Sequence, residues 1–179
     1  MVRQANYPRL YDILQSCYET LKVEVVPEVY ITNQLKGINA LSVGTDAAPI
    51  ILISRKAVIS LSDGELKFMI GHELGHILQG NMVWHMASGL LHIMKDKVLF
   101  VGPMIADFID SPLKEWCRTS EFAADQMGLR CCRDITHVYS LMAKVKHGER
   151  KSMAPELAEL YRGHPFIDSR IEMLEKHNG

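Results

Sequence analysis

One pentapeptide constrains this chain more than any other stretch: His72-Glu73-Leu74-Gly75-His76. On an α-helix, residues four apart stand one turn above each other on the same face, so both imidazoles can reach a single metal ion. Glu73, next to the first of them, can reach a water bound to that ion. Neutral imidazole is a good zinc ligand near pH 7, and the metal can bring the pKa of its water down to about 7. A match this short can arise by chance, so its surroundings have to carry the argument.

At 179 residues the chain fits one domain spanning 1–179, long enough to bury a real core. Its net charge of −1 gives no electrostatic footing for nucleic acid or for an acidic membrane surface. The N-terminal stretch shows no cleavable signal pattern, because no long apolar run follows Arg3. Cys17, Cys117, Cys131 and Cys132 show no CxxC spacing and read as reduced thiols of a cytoplasmic protein. Residues 74–94 carry no formal charge, yet His76, Gln79, Asn81, His85, Ser88 and His92 dot the stretch, and a bilayer core would resist them. The next apolar run, 98–106, is too short to span and contains Gly102-Pro103. A helical hairpin over 82–111 is the expectation; integral membrane insertion is disfavoured and peripheral contact stays open. Oligomeric state is not legible.

The patterning is that of a mostly helical α+β domain. Leu10, Ile13, Leu14, Cys17, Tyr18 and Leu21 fall at helical spacing and predict a helix over Tyr7–Val23 within an N-terminal region 1–23. In region 24–61, the runs Val25–Thr32, Ile38–Val43 and Pro49–Ser54 are short and β-branched. Asn33, Gly37, Gly44 and Asp46 supply turn chemistry between them, predicting a small, mostly antiparallel sheet. Ser62-Asp63-Gly64-Glu65 resembles a capping box, opening a motif helix over about Asp63–Gln79 within region 62–80, packed on the sheet by Leu66, Met69, Ile70, Leu74 and Ile77. Helical patterning resumes over Val83–Lys95, Val98–Ile109, Pro112–Cys132 and Ile135–Lys146, the last two forming region 112–147. A loop from Gly148 to Pro155 leads to C-terminal helices near Glu156–Tyr161 and Ile167–Lys176, in region 155–179.

A catalytic zinc takes three protein ligands and keeps a fourth position open. Glu121 and Asp125 lie four apart and therefore on one side of a helix. One of them can bind the metal while the other accepts the remaining N–H of a ligand histidine, which fixes the tautomer. Ala123 and Ala124 between them let that helix approach closely. Asp107, Asp110 and Glu115 are rivals, but none has a partner four residues on to back a histidine. His85 and His92, seven apart, suit a half-buried helical face better than a second metal site; the ten methionines suit core filling.

At this point the blocks, in order, resemble a known lineage. Asn39-Ala40, Ile51–Ser54 running into Ser62–Leu66, Ile70–His76, Arg118 with Glu121–Asp125, and His164-Pro165-Phe166 with Arg170-Ile171 are similar to the HtpX-like and CAAX prenyl protease type 1-like zinc metallopeptidases, which are gluzincins. The resemblance implies a zincin-like domain and a zinc-dependent endopeptidase holding one Zn2+ ion through His72, His76 and Glu121. It makes Glu73 the general base and acid, and Asp125 the residue that orients a ligand histidine. His164 would stand near the site, steadying the transition-state oxyanion or holding structure. The strand of Asn39 and Ala40 would take an extended protein or peptide substrate by strand addition. Integral members carry transmembrane helices around and after the motif; the polar segment here points to a soluble relative or an excised catalytic domain. Two other readings stand beside an active peptidase: a non-catalytic zinc-binding interaction module, and a peptidase kept latent by its N-terminal helix or by the 82–111 hairpin.

Overall fold

The structure is a computed structural model that describes residues 1–80, 82, 119–152 and 167–178. Among these, helix α1 (Pro8–Leu21) precedes strands β1 (Glu28–Thr32), β2 (Ala40–Thr45) and β3 (Ala48–Ser54). A short α2 (Arg55–Ser60) leads into α3 (Asp63–Leu78), the motif helix. Helix α4 covers residues 119–132, α5 is Ile135–Ser152 and α6 is Ile167–Asn178. The expected hairpin over 82–111 and the helix near Glu156–Tyr161 lie outside the described residues, except for Met82.

The fold is mostly helical with one small sheet, as the patterning predicts, but the sheet is mixed rather than mostly antiparallel. Its order is β1-β3-β2; β2 and β3 form an antiparallel hairpin, and β1 runs parallel to β3. Strand β3 (APIILIS) is the most apolar of the three, which suits it to the centre. Val29 lies opposite Ile51 in the register, and these residues with Ile53 share one buried core with Leu66, Ile70 and Leu74 of α3.

α3 is enclosed from several sides. α1 packs against it and contributes buried Leu10, Ile13, Leu14, Cys17 and Tyr18. Arg9 staples the start of α1 to the α2–α3 connection, donating to Asp63 Oδ1 at 2.7 Å and to the carbonyls of Leu61 at 2.8 Å and Val58 at 3.2 Å. α1 is thus a core element, and removing residues 1–23 would strip apolar cover from the motif helix. Helix α2, which periodicity does not reveal, is capped by Ser54, whose Oγ accepts from the Ala57 N–H. The loop expected from Gly148 is helical through Ser152; Glu149, Arg150 and Lys151 are good helix formers and outweigh one glycine.

The capping box opens α3 as read: Ser62 Oγ accepts from the Glu65 N–H, and Glu65 accepts from the Ser62 N–H at 2.7 Å. Glu65 also ties α3 to α5, accepting from Ser140 Oγ at 2.6 Å and from Lys144 Nζ at 2.7 Å. Burial alone would raise its pKa, but the bonds from Lys144, Ser140 and the Ser62 N–H hold it down to about 2. A carboxyl depressed on folding stabilises the protein above its ordinary pKa, and that contribution fades as pH falls toward the folded value. Between about pH 4.5 and 2 the wild-type chain is expected to lose about 2 kcal/mol that Glu65→Gln does not, a figure discounted because Lys144 is 40% exposed. Urea unfolding of both proteins at stepped pH reads this; parallel curves would refute it.

Candidate active site

The motif histidines sit in the second half of α3, where the helix meets α4. Close approach of the two helices depends on glycines. A Cβ on Gly75 would stand 2.6 Å from Ala124 Cα, and one on Gly71 would stand 2.9 Å from Gly128 Cα and from Cys131 Sγ. With Ala124 fully buried at the crossing, α4 brings Glu121 under the histidines, as the Ala123-Ala124 pair suggests.

His72, His76 and Glu121 each offer one ligand atom, and the three atoms lie within 4.8 Å of one another. The two Nε2 atoms are 3.1 Å apart; Glu121 Oε1 is 3.3 Å from His76 Nε2, and Oε2 is 3.6 Å from His72 Nε2. Three donor atoms this close together could hold a cation, and two imidazoles with one carboxylate are a donor set that zinc takes. Burial works against a charged His76, but the Glu121 carboxylate outweighs it and raises the imidazole pKa, so a proton competes with metal for this place.

Behind the cluster, Asp125 is fully buried and its Oδ1 lies 2.9 Å from His72 Nδ1. A carboxylate only accepts, so Nδ1 carries the hydrogen and Nε2 keeps its lone pair toward His76 and Glu121. Of the pair four apart, the residue facing both histidines is therefore Glu121 and the one backing a ring is Asp125.

The spacing gives Arg170 of α6 no role, yet it closes this arrangement. Its Nε donates to Asp125 Oδ2 at 2.7 Å, its Nη2 donates to Asp125 Oδ1, and its Nη1 lies 3.7 Å from Glu121 Oε2. Burial would raise the Asp125 pKa, but Arg170 and His72 outweigh it and hold the carboxyl below its usual range. The Arg170-Ile171 block is the sequence signal for Arg170; its partner on α4 is not deducible from spacing. Glu73 is buried beside His76, and its charge is felt by both His76 and Arg170.

Strand β2 is an outer strand of the sheet. Asn39 donates its N–H to Ser54 Oγ at 3.1 Å and accepts from the Ser54 N–H at 2.9 Å, so its main chain is turned toward β3. By the antiparallel alternation, Ala40, Ser42 and Gly44 turn their N–H and C=O groups outward. Gly44 lies opposite Pro49, which has no N–H to give, in agreement with that phase. His164, Arg118 and the rival carboxylates Asp107, Asp110 and Glu115 lie outside the described residues, as do His85 and His92. His137 packs its ring over Gly64 at the start of α3, where a Cβ would stand 2.2 Å from it. No helix of the described residues is long and apolar enough to cross a membrane.

Comparison with known proteins places this geometry in a lineage. The chain is 26% identical over 169 residues to the plastoglobule-localized metallopeptidase 48, chloroplastic, of Arabidopsis thaliana, covering 94% of this chain and 47% of that protein. It is 24% identical to protease HtpX of Psychrobacter sp., covering 85% of this chain and 65% of the relative. It is likewise 24% identical to a protease HtpX homolog of Helicobacter pylori, covering 94% and 66%. The chain therefore spans about half the length of the first relative and about two thirds of the others. No solved structure matches it. The profile of peptidase family M48 matches residues 4–178, nearly the whole sequence, and the chain belongs to that family.

Proposed function

We propose that this chain is a zinc-dependent endopeptidase whose metal is held by His72, His76 and Glu121. The observation that carries the reading is the convergence of those three donors within 4.8 Å, with Glu73 beside the first histidine and Asp125 behind it. Bound there, one zinc ion supplies a Lewis acid that acidifies a water and polarises the scissile carbonyl.

The chain's own residues do the rest. Glu73 accepts a proton from the attacking water as its oxygen bonds to the carbonyl carbon. It then hands that proton to the amine as the C–N bond breaks, so one carboxylate serves both halves of the reaction. Asp125 keeps the His72 proton on Nδ1, leaving Nε2 for the metal. His164, outside the described residues, keeps the role its His-Pro block implies, steadying the oxyanion or holding structure. An extended peptide adds to the edge of β2, where Ala40 begins the outward-facing main-chain row and Asn39 anchors the strand's start to Ser54. A protein or peptide substrate, no nucleic acid and a cytoplasmic setting complete the reading; the buried free thiols Cys17, Cys131 and Cys132 suit a reducing compartment.

Zinc content of the purified protein, followed by cleavage of casein and a quenched-peptide library with and without chelator, tests this. One equivalent of zinc with chelator-sensitive cleavage is the expected result. Zinc uptake without cleavage of any peptide would favour the non-catalytic module instead.

A further inference from the structure

The third ligand reaches the histidines from a separate helix, so something must set where α4 stands along α3. Gln79 and Ser120 make a reciprocal set of hydrogen bonds at that junction. Gln79 Nε2 donates to the Ser120 carbonyl at 3.1 Å and to the Gly75 carbonyl at 3.0 Å, while Ser120 Oγ donates to Gln79 Oε1 at 2.7 Å. Two carbonyls facing one end of the amide fix which end is nitrogen, so the arrangement is self-consistent. Gln79 caps α3 three residues after His76, and Ser120 immediately precedes Glu121. Ser120 is 3% exposed, so its bonds to the glutamine are sheltered from competing water.

We propose that Gln79 and Ser120 form a positioning clasp that sets Glu121 against His72 and His76, an inference that rests on the metal-binding reading of that cluster. The packing of Gly75 on Ala124 fixes the separation of the helices but leaves sliding along the groove and rotation of α4 to be resisted. The clasp resists both, because it grips the residue before the ligand through its carbonyl and its hydroxyl. It also reaches back to the Gly75 carbonyl, one residue before His76, and so ties the two halves of the ligand set through a single side chain. Gln79 and Ser120 touch no substrate on this reading; they act through Glu121.

The test measures zinc affinity by chelator competition on the full chain, with the visible spectrum of the cobalt-substituted protein as a second readout. Gln79→Met, which keeps the length and removes the polar end, is expected to weaken zinc binding about tenfold. Ser120→Ala, which removes one donor, is expected to weaken it about threefold, and Ser120→Thr to restore it. The cobalt bands of Gln79→Met should move toward those of Glu121→Gln. In a Glu121→Gln background, the Gln79→Met loss is expected to shrink to less than twofold, because the clasp then has no ligand to place. A tenfold loss in both backgrounds, or none in either, would overturn the clasp. If Gln79→Met fails to fold, Ser120→Ala carries the same comparison. A wild-type chain that takes up no zinc would overturn the metal reading itself, whereas wild-type uptake with unchanged variants overturns only the clasp.

Discussion

Glu73→Gln protein is expected to bind zinc as the wild-type chain does and to cleave a quenched peptide about a thousandfold more slowly. The substitution keeps the shape of a buried side chain that is not among the three converging donors, so the donor set is left intact. On the proposed mechanism it removes the group that accepts the proton of the attacking water and returns it to the leaving amine. Loss of both services falls on kcat, because the amide can still hydrogen-bond the water in the ground state. Chelator competition and single-turnover cleavage on the same preparation separate the two quantities. Full activity in a zinc-loaded Glu73→Gln protein would remove Glu73 from the reaction; lost zinc would make it part of the binding site instead.

That prediction rests on the part of the molecule most legible in the sequence. α1, the capping box at Ser62–Glu65 and the extent of α3 follow from local periodicity and capping, which act over a few residues and leave a pattern in them. The convergence of Glu121 on the histidines was legible only because a pair four apart is itself a local pattern. What the pattern misses is non-local or short. The parallel pairing of β1 with β3 is a choice of neighbour, and strand composition ranks burial without naming partners. Helix α2 has six residues, too few to show a period, and only Ser54 at its N-cap marks it. The clasp joins residues 41 apart, and Arg170 meets Asp125 across 45. In both cases the signal is one polar residue whose meaning depends on which helices cross.

Arg170 gives the second large effect. Replacing it with Met is expected to destabilise the metal-free protein by about 3–5 kcal/mol in urea unfolding. The Asp125 side chain is 0% exposed and that of Arg170 16%, so neither charge can turn to bulk water when the other is removed. The guanidinium occupies both oxygens of Asp125 and also lies 3.7 Å from Glu121, which makes it the cation for two buried carboxylates. Without it, Asp125 keeps only the His72 N–H among these contacts, and the repulsion between Asp125 and Glu121 is no longer offset. Arg170→Lys should recover part of the loss, since an ammonium restores the charge but not the two-pronged fit. The decisive comparison is the double variant Arg170→Met with Asp125→Asn. Asparagine can still accept the His72 N–H and carries no charge to strand, so the double variant is expected to cost less than half of what Arg170→Met costs alone. Independent, additive losses would show that Arg170 acts by packing its chain rather than by neutralising Asp125 and Glu121.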